Sequence, residues 1–400
     1  MPNTILTSSI ITREALRVLH QKCNFIGSIN RSYDNSFANT GAKIGDTLRI
    51  RLPNEYAVRS GMTRSNQDTV ELQTSLAVTN VKGVDCSFTS EELTLSLDDF
   101  SERILVPAMS VLAAAVEADA ISMYKDVYNL VDQDTVAFGF NTLSSGREML
   151  TNNLAMLSGR VANLTPANTT KFINDTKGLF QASEEIATQY REGKIGQTSG
   201  FTSIYENTLL GNHQTGTAAK TTGYLTSGAV TTNGATAAPV ITGTTTFLKG
   251  DVITFAGAIR VHPESKQSTG ILQQFVVTAD YVGGTGNVQI SPAVYTSTGR
   301  QNLTAAGIPT GAAVVKVGAG ANELLGNSLA YHKDAFTFAT ADLILPKGTD
   351  MAAREVMDGI SMSMVRDFNI NDRTFPVRFD VLYGFKTIRP QLATRLHADG

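Results

Sequence analysis

The chain has no tryptophan, two cysteines and five histidines in 400 residues, and each scarcity removes a class of function. Cys23 and Cys86 stand far apart, so neither a multi-bridge secreted scaffold nor a paired-thiolate zinc site is available. They read as free thiols of a reducing cytosol. His20, His213, His262, His332 and His397 are scattered singly, with no H-E-x-x-H pair or close His/Cys group to hold a metal. Each reads as a surface or packing residue. Charge is sparse as well: 17% of residues are charged, the formal balance is -3, and no Lys/Arg stripe exists to neutralise phosphates. A dedicated nucleic-acid binder is therefore not expected. Long apolar runs are also missing, since the longest uncharged stretch, 221–248, is mostly Thr, Gly and Ala and falls short of the roughly 20 apolar residues that span a bilayer. Met1-Pro2-Asn3-Thr4 lacks the basic-then-apolar pattern of a secretory signal. Neither a membrane nor export is expected.

Catalytic signatures are equally scarce. No G-x-x-x-x-G-K-[ST] loop or G-x-S-x-G elbow occurs, and Gly283-Gly284-Thr285-Gly286 fits a hairpin turn better than a phosphate cradle. Ser122-Met123-Tyr124-Lys125 matches the S-x-x-K pattern of serine acyl-transfer enzymes, but that family's S-D-N and K-T-G companions are absent. Asn163-Leu164-Thr165 and similar N-x-[ST] triplets mean nothing without export. No cofactor and no metal are expected.

What the chain does have is apolar material for burial, 42% of its residues, and a length that exceeds one ordinary core. Residues 12–22 read as a short helix entered at Thr12, followed by an irregular polar arm to Ala42. Leu48, Ile50 and Leu52 alternate with Thr47, Arg49 and Arg51, and a second alternating run, 70–88, answers them. Between them, 53–68 is polar and carries Arg59 and Arg64, which predicts a long hairpin with a basic tip. A lone two-stranded ribbon is marginal in water, so a neighbouring subunit or a larger sheet of the same chain must support it.

Asp98 and Asp99, with Glu102, form a capping box that explains paired acids without catalysis. Leu105, Met109, Leu112, Val116, Ala120, Met123, Val127 and Leu130 then recur at helical spacing, predicting one amphipathic helix on the order of 35 Å long, with Pro107 kinking it or opening a second helix. Further helices are expected over 145–157, 179–190 and 351–357. After Gly211 the texture turns Thr/Gly-rich, with β-type runs at 252–255, 274–278 and 288–290, so an inserted all-β unit of roughly 110 residues ends near Gly326. Phe375, Val377, Phe379 and Val381 mark a strong closing strand.

Several of these segments, in this order, carry a family likeness. Thr4-Ile5-Leu6-Thr7, Arg13-Glu14-Ala15-Leu16-Arg17-Val18-Leu19, Ile29-Asn30-Arg31-Ser32-Tyr33-Asp34 and Gly45-Asp46-Thr47-Leu48-Arg49-Ile50 resemble the major capsid (coat) proteins of tailed bacteriophages of the P22-like type. Lys249-Gly250-Asp251-Val252-Ile253-Thr254-Phe255-Ala256-Gly257 and Gln274-Phe275-Val276-Val277-Thr278 are similar to that family's inserted domain, and Phe375 to Gly384 with Arg389-Pro390 to its closing strand and tail.

The resemblance implies an α+β fold of the HK97 capsid type: an N-terminal arm (1–42), an extended β-hairpin loop (43–90), a peripheral domain with a spine helix (91–145), an axial domain (146–218), an inserted β-barrel (219–328) and a return to the axial and peripheral domains (329–400). It implies hexamers and pentamers of this chain, a scaffolding protein and a portal as partners, and a procapsid assembled in the host cytoplasm that expands around double-stranded DNA. The family's charged inter-capsomer loop has no counterpart in the uncharged 221–248, and no covalent Lys–Asn cross-link is expected. Arg59 and Arg64 are the candidate inter-subunit residues. Two rival classes are a secreted β-rich adhesin, which would need an export signal, and an S-x-x-K enzyme, which would need Ser122 to be reactive.

Overall fold

A computed structural model of the chain describes residues 12–17, 19, 23–31, 47–56, 58, 61–64, 66, 71–89, 106–133, 136–176, 198–221, 223–297, 299–318, 320–357, 360–372 and 374–398. It folds as two units, one drawn from Met1–Leu52, Gln73–Ser122 and Phe336–Ile388, the other from Pro53–Leu72, Met123–Ala335 and Arg389–Gly400.

The first unit is organised by β19 (Thr374–Thr387), whose alternating apolar residues pair on both sides. Strands β16 (Phe336–Ala341), β18 (Ile360–Arg366) and β17 (Met351–Met357) follow it in the sheet order β16-β19-β18-β17, and β3 (Asn80–Thr89) pairs with β19 from Thr374↔Thr89 to Tyr383↔Asn80. After α1 (Asn24–Ser28), helix α2 (Val106–Ile121) buries Met109, Leu112, Val116 and Ala120, one stripe at spacings of three and four. Lys82 from β3 and Tyr383 from β19 converge on Asp119 of this helix, the lysine at 2.7 Å and the phenol donating at 2.5 Å. Strands β1 (Thr47–Leu52) and β2 (Leu72–Ala77) form a separate two-stranded sheet.

The second unit contains a mixed sheet in the order β4 (Leu130–Gln133), β20 (Ala393–Ala398), β15 (Ser328–His332), β5 (Arg160–Leu164) and β6 (Ser203–Glu206). Its two outer pairs are parallel and its centre antiparallel. Helix α3 (Phe140–Asn152) lies close against β20: a Cβ on Gly146 would come within 2.7 Å of Leu396 Cδ2, so a side chain there would have to displace the Leu396 methyl. Helix α4 (Pro166–Thr176) starts with proline, whose missing N–H costs nothing at a helix start.

Between β6 and β15 the chain makes a closed barrel. Strands β8 (Tyr224–Thr226), β9 (Ala235–Gly243), β10 (Val252–Val261), β11 (Ser268–Val277), β12 (Gly284–Val294) and β13 (Ala313–Val317) close in the order β10-β11-β12-β9-β8-β13, which leaves no free sheet edge. Its interior is apolar: Ile253, Phe255, Phe275, Val277, Val288 and Ile290 form one buried cluster, with the Phe255 and Phe275 rings edge-on at 5.5 Å. Short strands β7 (Asn212–Gln214) and β14 (Leu324–Gly326), which enter and leave the barrel, pair antiparallel with each other.

Three expected helices differ. Residues 351–357 form a strand paired along its length with β18, from Met351↔Arg366 to Met357↔Ile360, because seven residues gain more from a full ladder than from two helical turns. The long helix stops at Ile121, where the Ser122 hydroxyl donates to the Asp119 carbonyl at 2.6 Å and competes with the helical pattern; a 3-10 turn, Ser122–Asp126, follows. Pro107 sits in the opening turn of α2, where its missing N–H costs nothing, and the residues before Val106 lie outside the described ones. The helix expected over 145–157 starts earlier, at Phe140, and ends at Asn152. The expected helix over 179–190 and the Asp98/Asp99 cap lie outside the described residues.

Candidate assembly surfaces

The hairpin is built from two faces of different character. On β1, Ile50 is buried and Leu48 half-buried, while Thr47, Arg49 and Arg51 face outward. Ile50, Leu76 and Val78 pack with Ala339 and Ala341, and Leu48, Leu382 and Ile388 lie against the same cluster. Gly384 makes this packing possible, since a Cβ there would stand 2.1 Å from the Ala77 carbonyl oxygen. Support for the hairpin base thus comes from its own chain, the alternative left open by the periodicity.

Beyond the base, the backbone of Glu55 and Tyr56 closes on the barrel connection at Gly299, where a Cβ would meet the Glu55 carbonyl oxygen at 2.7 Å. Past that point, among the described residues, Val58 is 91% exposed and Met62 100%. Arg64 is exposed, its Nε donating to Asn66 Oδ1 at 2.7 Å. Arg59 lies outside the described residues. Reading the tip as polar and basic missed the exposed Val58 and Met62, because scattered apolar residues in a polar loop give no periodic signal.

The other sequence candidates resolve as structural groups. The Ser122 hydroxyl is engaged with the Asp119 carbonyl. Asn163 is buried and donates to the Tyr331 hydroxyl at 2.9 Å, which removes it as a surface glycosylation site. Cys23 and Cys86 are free, and burial pushes both thiols upward, most strongly at Cys23, where Glu117 adds to the effect. Among the described residues no group of three His, Cys, Asp or Glu side chains is placed to hold a metal. Residues Val106–Asp126, with mean hydropathy 1.4, are long and apolar enough to cross a membrane by length and composition. The buried stripe of α2 instead faces protein, and Glu117 within it is buried and accepts the Phe25 N–H at 3.0 Å, which marks a core helix.

Two of the single histidines are not bland. His332 is buried, its Nε2 at 3.0 Å from the Ser158 carbonyl and its Nδ1 at 3.3 Å from the Asp334 N–H. His213 is buried against Asp251, Nε2 to Oδ1 at 2.8 Å.

The chain thus combines an α+β architecture, a closed barrel inserted between strands of a mixed sheet, and two exposed apolar residues, Val58 and Met62, in the hairpin tip. The family model of the P22 coat protein, described as gene protein 5, matches residues 7–395, and the chain belongs to that family. It is a bacteriophage major capsid protein, a subunit of the icosahedral shell, and its place is the virion capsid. The observed α+β architecture contains the inserted β-barrel that the sequence resemblance implies. Among solved structures, the chain is similar to one from Mycobacterium phage Che8 (11% identity, 99% of this chain and 93% of that one, TM-score 0.47). It is also similar to the capsid of Ralstonia phage GP4 (7% identity, 92% and 86%, TM-score 0.46) and a virus-like particle from Pyrococcus furiosus (7% identity, 96% and 97%, TM-score 0.40). No curated protein matches the chain.

Proposed function

We propose that this chain assembles as hexamers and pentamers, with a scaffolding protein and a portal, into a procapsid that forms in the host cytoplasm and later encloses double-stranded DNA, and that it catalyses nothing. In this reading 1–42 is the arm, 43–90 the extended loop, 91–145 the peripheral domain, 146–218 the first part of the axial domain, 219–328 the inserted barrel, and 329–400 the return to the axial and peripheral domains. The observation that carries it is the tip: Val58 and Met62 are exposed on a hairpin whose base is already anchored, so what remains uncovered is suited to a neighbouring copy. Many such weak contacts, each below what association costs alone, sum to a stable shell. A near-balanced charge suits a lining that surrounds DNA without gripping it.

Arg59, which lies between Val58 and Met62 in the sequence, and Arg64, two residues after Met62, are assigned to acidic groups on the neighbour. Reversing both, Arg59→Glu with Arg64→Glu, is expected to abolish or slow shell formation while leaving the circular dichroism of the free subunit unchanged. Unaltered assembly and shell stability in the double variant would remove the two arginines from the interface.

A further inference from the structure

The chain enters and leaves the barrel through a stalk of two very short strands, β7 and β14, paired at Leu324↔Gln214, Leu325↔His213 and Gly326↔Asn212. A two-stranded ribbon of this size has little stability of its own; Gln274 of β11 exchanges hydrogen bonds with the Leu130 backbone of β4, and the ribbon itself is held by the side chains around it. The middle residue of the entering strand, His213, is 3% exposed and bonds through Nε2 to Asp251 Oδ1 at 2.8 Å. Asp251 is 2% exposed and sits immediately before β10. Its second oxygen accepts the Gly216 N–H at 3.0 Å and the Leu248 N–H at 2.9 Å. One carboxylate therefore grips the stalk, the segment leading from stalk to barrel, and the turn that opens a barrel strand.

The surrounding residues serve the same junction. Gly250, at φ +102, lets the imidazole in: a Cβ there would stand 2.9 Å from His213 Cε1. The Tyr124 ring meets His213 edge-on with centroids 6.2 Å apart. Lys316, on the last barrel strand, is fully buried and donates to the carbonyls of Gly216 at 3.1 Å and Gly320 at 2.5 Å, tying the exit to the entrance. Burial pushes the Lys316 ammonium down, and Asp251 is the first of the charges that oppose this.

Burying such groups is costly, and an apolar cluster of similar volume would be at least as stable. What the polar cluster adds is direction, because each bond fixes a distance and an angle between parts that apolar packing would let slide. We propose that the Asp251-centred cluster is a lock that sets the orientation of the barrel on its stalk, separate from the apolar interior that gives the barrel its fold.

Hydrogen exchange of the full chain, resolved by peptide, separates the two roles. His213→Ala is expected to raise exchange at 212–216 and 324–326 about tenfold, the size of one net hydrogen bond, while β11 and β12 keep their protection. His213→Gln, which keeps a donor toward Asp251, is expected to restore most of the protection. Val288→Ala, in the barrel interior, is the contrast and should raise exchange across the barrel strands. Unchanged stalk exchange in His213→Ala would overturn the lock, and so would barrel strands that lose protection together with the stalk, since the cluster would then belong to the barrel's own core.

Discussion

Asp251 faces more than its histidine. The guanidinium of Arg395, on β20, is wholly buried; burial lowers it to about 10, and Tyr124, Asp251 and Asp126 act against that shift in that order. Taking the Asp251 carboxylate away leaves buried cations with less opposing charge, so Asp251→Ala is expected to cost about 3–5 kcal/mol in a denaturant titration of the subunit. His332 gives a second test. Burial is the main cause that pushes it below its ordinary value, and the Asp334 N–H approaching Nδ1 fits the neutral ring. The unfolded chain thus takes up this proton at higher pH than the folded one, so the contribution is present above about 6.5 and is lost as pH falls from there toward the lowered folded value. His332→Gln should flatten that part of the stability profile; an identical slope in both proteins would contradict the neutral assignment. Neither histidine was legible as special in the sequence, because the Asp251 partner lies 38 residues from His213 and no local pattern reports such a pairing.

At the scale of elements, β1 and β19 were legible because a half-buried strand writes its environment into period 2. The strand over 351–357 was not, since Ala, Arg and Glu favour helix and only the ladder to β18 overrides them. Two substitutions test how elements are joined. Gly384→Ala places a methyl carbon on the Ala77 carbonyl, so it is expected to separate the hairpin base from β19 and to destabilise the subunit by about 1–3 kcal/mol. Tyr383→Phe removes the phenol that donates to Asp119 but leaves the Lys82 ion pair, and about 1 kcal/mol is expected. A thermal melt of each variant checks both. Equal and negligible shifts would mean that neither contact joins β19 to its neighbours in solution.

For the whole molecule, the order of segments carried the family, while the surface that matters for assembly was only partly legible. Exposed apolar residues such as Val58 and Met62, proposed above to meet a neighbouring copy, carry no periodicity that a sequence pattern could report. The same exposure makes Met62→Ser a mild change for the isolated chain and a severe one for the shell, with assembly yield as the readout. The central claim is that this chain becomes complete only in a closed lattice. Electron microscopy of the purified chain, alone and with the scaffolding protein proposed for it, tests it most directly: closed particles of uniform size with the scaffold are the expected result. A chain that stays monomeric at high concentration with the scaffold present, its hairpin tip as protected from hydrogen exchange as the barrel interior, would contradict it.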